Sequence, residues 1–143
     1  IILAGRKLND EMSDYVANNL LESLSKVKQV EECKVLILGF SFKENCPDLR
    51  NTKIIDLYNN LVDHVRSIDV YDPYASKSEA KEVYKLDLLD NLVTKDYDAV
   101  VIAVSHDEFR KMGIKEIRKL CSKDGIIYDL KNLFQKFETD LRL

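Results

Sequence analysis

Two kinds of apolar pattern alternate along this chain, and together they predict an α/β fold. Short apolar runs at 35–38, 99–104 and 126–128 are typical of buried strands, and the alternating residues 67–71, which end at Asp72-Pro73, predict a further strand closed by a turn. Between these runs, apolar residues recur every three or four positions, which is typical of amphipathic helices. Because strands and helices alternate with short connections, we expect a Rossmann-like, three-layer αβα parallel sheet.

A long amphipathic helix precedes this unit. Its apolar residues predict a helix from Asn9 to about Val30, and no partner helix adjoins it in sequence. We therefore expect the helix to project from the α/β unit and to bury its apolar stripe against a symmetry mate in a dimer. The alternative is that the helix folds back onto its own sheet.

The remaining connections are predicted from the same periodicities. We expect helices at 52–63, 76–85 and 109–120, a short helical stretch at 86–93, a turn at Asp124-Gly125, and a mixed amphipathic tail to Leu143.

Composition narrows the classes of function. The 143 residues include 45% hydrophobic and 33% charged residues, which is ordinary for one globular domain. The net charge of -3 gives no electrostatic reason to expect a nucleic-acid partner. No apolar run approaches the roughly 20 residues of a membrane span, so we expect no membrane partner. The three widely spaced cysteines favour a reducing cytoplasm over a disulfide framework or a metal site, and the absence of an initial Met favours a segment of a longer protein.

Polar side chains follow three of the predicted strands. In an open parallel sheet, ligands bind outside the carboxyl ends of the strands, so side chains at these ends are expected to converge on an anion or nucleotide site. A solvated loop with incidental charges is the alternative. The residues in question are Phe42 and Lys43 after the first strand, His106 and Asp107 after the 99–104 strand, and Asp129 and Lys131 after the last.

Two catalytic interpretations are disfavoured. Gly39 is followed by Phe40-Ser41-Phe42, so the glycine-rich fingerprint of dinucleotide binding is missing. Cys46 precedes Pro47 in a polar loop with no third group to orient a Cys46–His106 pair, which argues against a nucleophile.

Several segments resemble successive landmarks of the UDP-glucose/GDP-mannose dehydrogenase family, and the resemblance covers nearly the whole chain. The motif Lys43-Glu-Asn-Cys-Pro-Asp48 is most similar to the bacterial branch that oxidises UDP-N-acetylhexosamines to uronic acids for surface polysaccharide. The segments are Ala4-Gly-Arg-Lys-Leu-Asn-Asp10, residues 38–53, Val70-Tyr-Asp-Pro73, Tyr97-Asp-Ala-Val100 with residues 103–109, and Tyr128-Asp-Leu-Lys131.

The resemblance implies a three-part enzyme with an amino-terminal NAD-binding domain, a central dimerisation helix and a carboxy-terminal UDP-sugar domain. By this comparison, residues 1–31 are the end of the central helix of a homodimer, and residues 32–143 are the UDP-sugar-binding domain. The family's catalytic cysteine lies upstream of the Ala-Gly-Arg motif, so Cys46 is not the nucleophile. The segment is therefore expected to bind UDP-sugar without turning it over, and to contribute no catalytic residue.

The resemblance also assigns site residues. Phe42 and Lys43 match an aromatic-lysine pair that contacts the UDP-sugar, and Lys131 matches a basic residue that contacts the nucleotide. Arg50 matches an arginine that reaches the NAD held by the missing domain. The sequence departs from the family at Leu130 and Asn132, where some relatives have glycine at one position or the other.

Two other classes of function compete with this interpretation. A freestanding regulatory module, such as a receiver domain, needs acidic residues after the first strand to hold Mg²⁺. This chain has Gly39-Phe-Ser-Phe42 there, which argues against that class. A purely structural dimerisation piece would use the first helix and not the strand ends. Titration with UDP separates a nucleotide-binding domain from a dimerisation piece.

Overall fold

The structure is a computed structural model that describes residues 10–92 and 96–143. The helices are α1 (Asp10–Ser25), α2 (Ile54–Val62), α3 (Lys77–Tyr84) and α4 (Asp107–Arg118). The strands are β1 (Lys34–Leu38), β2 (Ser67–Tyr71), β3 (Tyr97–Ile102), β4 (Cys121–Asp129) and β5 (Leu141–Arg142), and short 3-10 helices span Val30–Glu32 and Lys136–Glu138. The predicted Ala4–Asp10 landmark lies outside the described residues except for its last position.

The strands form one sheet in the order β2-β1-β3-β4-β5, and each described pairing is parallel. Val35 of β1 pairs with Ala99 of β3, at the centre of the sheet. The predicted Rossmann-like parallel sheet is therefore confirmed, and all the strands end at the same edge.

Successive residues of the central strands enter different halves of the core, as the period of two in a strand requires. Val35 and Ile37 pack in the cluster that includes residues of α1 and α2, whereas Leu36 and Leu38 pack with Phe109 of α4. The sheet is thus covered by helices on both faces, which explains the continuous apolar runs at residues 35–38 of β1 and 99–102 of β3.

Helix α1 does not project from the domain. Val16, Leu20 and Leu24 of its apolar stripe are at most 1% exposed and pack in the same cluster as Leu57 and Leu61 of α2, whereas Tyr15 is 53% exposed. The expectation of an appendage is therefore wrong, because a partner helix that is distant in sequence covers the stripe. The argument for a dimer from an unpartnered stripe loses its basis.

Three local predictions also need correction. Residues 86–92 form no helix, and Val93 lies outside the described residues. The predicted tail contains β5, which adds a parallel edge strand beside β4. The residues Asp124-Gly125, predicted as a turn, lie within β4 at a β-bulge. Cys121 pairs with Tyr97 and Ile126 pairs with Ala99, so β4 has extra residues between these two pairs.

Candidate functional site

A cleft of about 590 Å³ opens at the carboxyl edge of the sheet. It lies beside the segments that follow β1, β3 and β4 and beside the start of α2. The residues that line it are Ser41, Phe42, Lys43, Glu44, Asn51, Thr52, Lys53, Ile54, Ala103, Val104 and Lys131. The structure thus brings Lys131 together with the adjacent pair Phe42 and Lys43, although almost 90 positions separate them in sequence.

The charges around the cleft favour an anionic ligand. Three lysines line it, Lys43, Lys53 and Lys131, against the carboxylate of Glu44, and Lys53 also pairs with Asp56 of α2 at 3.9 Å. Ile54, the first residue of α2, also lines the cleft, so the partial positive charge of a helix N-terminus adds to that of the lysines. Convergent lysines and a helix start are the groups that hold phosphates in proteins.

Lys43 is solvent-exposed, and its ammonium takes part in none of the ion pairs that residues 10–92 and 96–143 form. Phe42 and Lys131 are half-buried beside it in the cleft wall. The charge of Lys43 helps to lower the pKa of Asp48, after the larger effect of Arg50, but the ammonium of Lys43 is not paired with that carboxylate and stays open to a ligand in the cleft.

The turn out of β1 needs a glycine. Gly39 has φ of 100°, and a Cβ atom at this position would lie 2.6 Å from Cβ of Val104 and 2.8 Å from its backbone nitrogen. Only glycine avoids both the backbone strain and the clash. Because Val104 lines the cleft, the close approach of Gly39 to Val104 places the end of β1 directly beside the cleft wall.

Backbone and side-chain hydrogen bonds hold the loop that runs from the end of β1 to α2. The N–H of Phe42 donates to the carbonyl of Asp48 at 2.7 Å, which closes the loop on itself. The hydroxyl of Thr52 donates to the carbonyl of Phe40 at 2.7 Å, and the hydroxyl of Tyr84 donates to the carbonyl of Leu49 at 2.6 Å. The loop is thus anchored although its outer residues are exposed.

A buried carboxylate organises the ends of β1 and β2. Asp72 is 2% exposed, and its Oδ2 accepts the N–H groups of Phe40 and Ser41 at 2.7 and 2.8 Å. Its Oδ1 accepts the N–H groups of Tyr74 and Ala75 at 2.8 and 3.0 Å. Burial raises the pKa of this carboxyl, but the hydrogen bonds from His106 and from the backbone outweigh burial and lower the pKa to about 2.

His106 is fully buried and does not line the cleft. Its Nε2 lies 2.9 Å from Oδ2 of Asp72 and 3.1 Å from the hydroxyl of Ser41, and its Nδ1 accepts the N–H of Asn45 at 2.9 Å. The expectation that His106 faces the ligand is therefore wrong. The imidazole instead connects three segments that follow strands.

Asp129 and Asp107 do not face the cleft either. Asp129 is fully buried, and its two oxygens accept the N–H groups of Lys131 and Phe134 at 3.1 and 3.0 Å, so it shapes the loop that presents Lys131. Asp107 is exposed and pairs with Arg110 at 3.1 Å. Of the strand-end residues predicted to converge, Asp129 and His106 hold the loops, Asp107 pairs on the surface of α4, and Phe42 and the lysines line the cleft.

The departure from the family pattern at Asn132 has a structural explanation. Asn132 has φ of 54°, a left-handed conformation that glycine adopts freely and that asparagine tolerates better than most residues. Its side-chain oxygen accepts a hydrogen bond from Arg142. The loop therefore keeps a glycine-like path, and Lys131 lines the cleft.

Arg50 lies outside the lining of the cleft. Its guanidinium donates to both oxygens of Asp48 at 3.0 Å, and the Arg50 side chain is 83% exposed. The hydrogen bonds and charge of Arg50 lower the pKa of Asp48. The guanidinium is thus held at the surface, where it can meet a group that this chain does not supply.

Sequence reasoning missed three features of the site. Two of them are Lys53 and the start of α2, which line the cleft. The amphipathic pattern of α2, with a lysine directly before it, could have indicated both. Asp72 was assigned only to a turn, although an aspartate at the end of a strand is a common acceptor for loop N–H groups.

Residues 10–92 and 96–143 show neither a metal-binding cluster nor a membrane-spanning helix. There, no group of three or more His, Cys, Asp or Glu side chains is placed to hold a metal ion. No helix among the described residues combines the length and the apolar character needed to cross a bilayer.

A parallel α/β sheet with a lysine-lined cleft at its carboxyl edge defines an anion- or nucleotide-binding domain of Rossmann-like fold. A sequence model of the "UDP-glucose/GDP-mannose dehydrogenase family, UDP binding domain" matches residues 36–136. The chain therefore belongs to this family and contains its UDP-binding domain.

Curated relatives agree with this assignment. The chain is 42% identical to a UDP-N-acetyl-D-glucosamine 6-dehydrogenase of Pseudomonas aeruginosa over 100% of its own length and 34% of the relative's. It is 39% identical to protein CapL of Staphylococcus aureus over 99% of its length and 33% of the relative's. The chain thus spans about a third of the curated relatives it matches.

Solved structures share the fold. A UDP-D-ManNAc dehydrogenase from Pyrococcus horikoshii superposes with a TM-score of 0.74 at 27% identity, over 90% of this chain and 29% of that one. An NDP-N-acetyl-D-galactosaminuronic acid dehydrogenase from Methanosarcina mazei superposes with a TM-score of 0.78 at 22% identity, over 96% of this chain and 31% of that one, and shows the fold alone.

Proposed function

We propose that this chain is the carboxy-terminal domain that holds the UDP moiety of a UDP-N-acetylhexosamine for an NAD-dependent 6-dehydrogenase. The observation that carries the proposal is the cleft at the carboxyl edge of the sheet, where Lys43, Lys53 and Lys131 converge with the start of α2. A nucleoside diphosphate has the negative charge that this arrangement fits.

Within the cleft, we assign the diphosphate to Lys43 and Lys131 and the uracil ring to the side chain of Phe42. The half-buried ring of Phe42 and the apolar surface of Ala103 and Val104 offer a face on which a base can pack. A lysine on each side of the cleft lets two ammonium groups contact one diphosphate, which a single exposed lysine cannot do.

For the whole protein, we propose the two-step oxidation of the C6 alcohol of a UDP-N-acetylhexosamine to the uronic acid, in the cytoplasm, for surface polysaccharide. The names of the relatives support this substrate class. The catalytic cysteine and the NAD-binding domain would lie in the amino-terminal part of the protein. The homodimer through the central helix of residues 1–31, with residues 32–143 as the UDP-sugar domain, stays a proposal that the family resemblance supports.

The sequence of this chain lacks the glycine-rich fingerprint of a dinucleotide site. The segment after Gly39 lacks further glycines that would let a pyrophosphate approach the backbone. Arg50, with its exposed guanidinium, is the residue we assign to NAD, which the amino-terminal domain would hold. NAD supplies the hydride acceptor in such a reaction.

Isothermal titration of this chain with UDP, uridine and inorganic diphosphate tests the proposal. We expect UDP to bind more tightly than either of its halves, because only UDP meets both the lysines and the apolar wall of the cleft. The absence of UDP binding would contradict the proposal and favour a dimerisation piece. Binding of diphosphate as tight as that of UDP would reject a base site at Phe42.

A further inference from the structure

We propose that His106 is a positioning residue that sets the geometry of the cleft segment Phe42-Lys43-Glu44. This inference rests on the proposed function, since it deepens the account of how the UDP site is built. All three residues of the segment line the cleft, whereas His106 is fully buried behind it. His106 therefore acts on a ligand only through the segment.

The hydrogen bonds of His106 reach both residues that flank this segment. On one side, Nε2 lies 3.1 Å from the hydroxyl of Ser41, and that hydroxyl also donates to the carbonyl of Lys43 at 3.1 Å. On the other side, Nδ1 accepts the backbone N–H of Asn45 at 2.9 Å. One imidazole thus fixes the two ends of a three-residue span.

Asn45 needs this support. It has φ of 56°, a left-handed conformation that costs a residue with a side chain some free energy. The N–H of Asn45 is held by His106, and its side-chain oxygen accepts the N–H of Asp107 at 2.8 Å, at the first residue of α4. The far end of the segment is therefore attached to the first residue of α4 and to the residue that precedes it.

The contacts define one tautomer. Because Nδ1 accepts a hydrogen bond from Asn45, it carries no proton, and the proton must be on Nε2, which faces Oδ2 of Asp72 at 2.9 Å. Asp72 also accepts the N–H groups of Phe40 and Ser41, so the carboxylate that orients the ring holds the near end of the segment as well. Ring and segment are positioned by the same carboxylate.

Two variants separate the halves of the imidazole. In His106→Asn, the side-chain oxygen can take the place of Nδ1 and accept the N–H of Asn45, but nothing reaches Asp72. In His106→Gln, the amide nitrogen can take the place of Nε2 and donate to Asp72, but the acceptor for Asn45 is lost. The chain contains one other histidine, the exposed His64, so His64→Gln and His64→Asn are matched controls.

The experiment measures UDP affinity by calorimetry and thermal stability for each variant. We expect His106→Asn to bind UDP within about threefold of wild type and His106→Gln to bind at least about tenfold more weakly, whatever the order of their melting temperatures. The His64 variants are expected to match wild type. Equal affinity of wild type and His106→Gln, or losses that follow thermal stability alone, would overturn the proposal.

Nuclear magnetic resonance of the wild type gives a test that needs no variant. Long-range proton–nitrogen spectra should show His106 protonated on Nε2, and a proton on Nδ1 would overturn the proposal. If wild type does not bind UDP at all, the proposed function fails. In that case, hydrogen exchange at the Asn45 amide still tests the role of His106. The proposal predicts faster exchange in His106→Gln than in His106→Asn, and equal rates would overturn it.

Discussion

Replacement of Lys43 by Met is expected to weaken UDP binding without destabilising the domain. Methionine keeps an unbranched apolar stem of similar length and removes the charge. Since the ammonium of Lys43 forms no ion pair with the described residues, its loss breaks no ion pair there and removes only a minor electrostatic effect on Asp48, whose partner is Arg50. Its exposed position also means that no buried surface is lost.

The magnitude follows from the kind of contact. A hydrogen bond to a charged group contributes roughly 1.5 to 3 kcal/mol, and about 1.4 kcal/mol is a tenfold change in affinity. Lys43→Met should therefore weaken UDP binding by roughly tenfold to a hundredfold. The effect should shrink as salt rises, because the cleft is open to solvent and exposed charges are screened.

Calorimetric titration with UDP at low and moderate salt measures this effect. Lys123→Met is the matched control, because Lys123 is also exposed but lies near the start of β4, whereas the cleft is at the carboxyl edge. The control should change affinity by less than about twofold, as exposed lysines without a ligand do. Equal affinities for wild type, Lys43→Met and Lys123→Met would refute the assignment of Lys43 to the site.

Three further changes test the framework of the site. Gly39→Ala should destabilise the domain by about 2 to 5 kcal/mol in urea unfolding, because its φ of 100° and the 2.6 Å approach to Val104 exclude a methyl group, and a neutral result would reject that turn geometry. Asp72, whose pKa falls from 3.8 to about 2, should contribute roughly 2 kcal/mol of stability above pH 4 that disappears as the pH falls towards 2. Asp72→Asn should remove this part of the acid sensitivity, and an unchanged pH profile would speak against the buried network. Leu20→Ala, in a fully buried position of α1, should cost about 2 to 5 kcal/mol at any protein concentration, whereas a cost that depends on concentration would restore the dimer as the cover of α1.

The parallel sheet could be predicted because its strands carry their own signal. Runs such as Val35–Leu38 of β1 and Ala99–Ile102 of β3 are continuously apolar, and only strands covered on both faces need that pattern. The position of α1 could not be predicted in the same way. Its stripe requires a cover, but periodicity does not say whether the cover is α2 or a second chain. The two residues of β5 are too few to show any period.

The cleft was predictable in part for a similar reason. The carboxyl edge of a parallel sheet gathers the residues that follow its strands, so Phe42, Lys43 and Lys131 were expected to meet. Proximity to that edge does not tell which polar side chains point outward. His106 and Asp129 are buried because loop N–H groups need acceptors, and this demand depends on backbone paths that the sequence does not display.

The most direct test of the central claim is to map UDP binding onto the chain by amide chemical-shift perturbation. If the chain holds UDP at the carboxyl edge of the sheet, the largest shifts should fall on Phe42, Lys43 and Lys131, with little change at Lys123. Shifts that are centred on the opposite edge, or no shifts at millimolar UDP, would contradict the account.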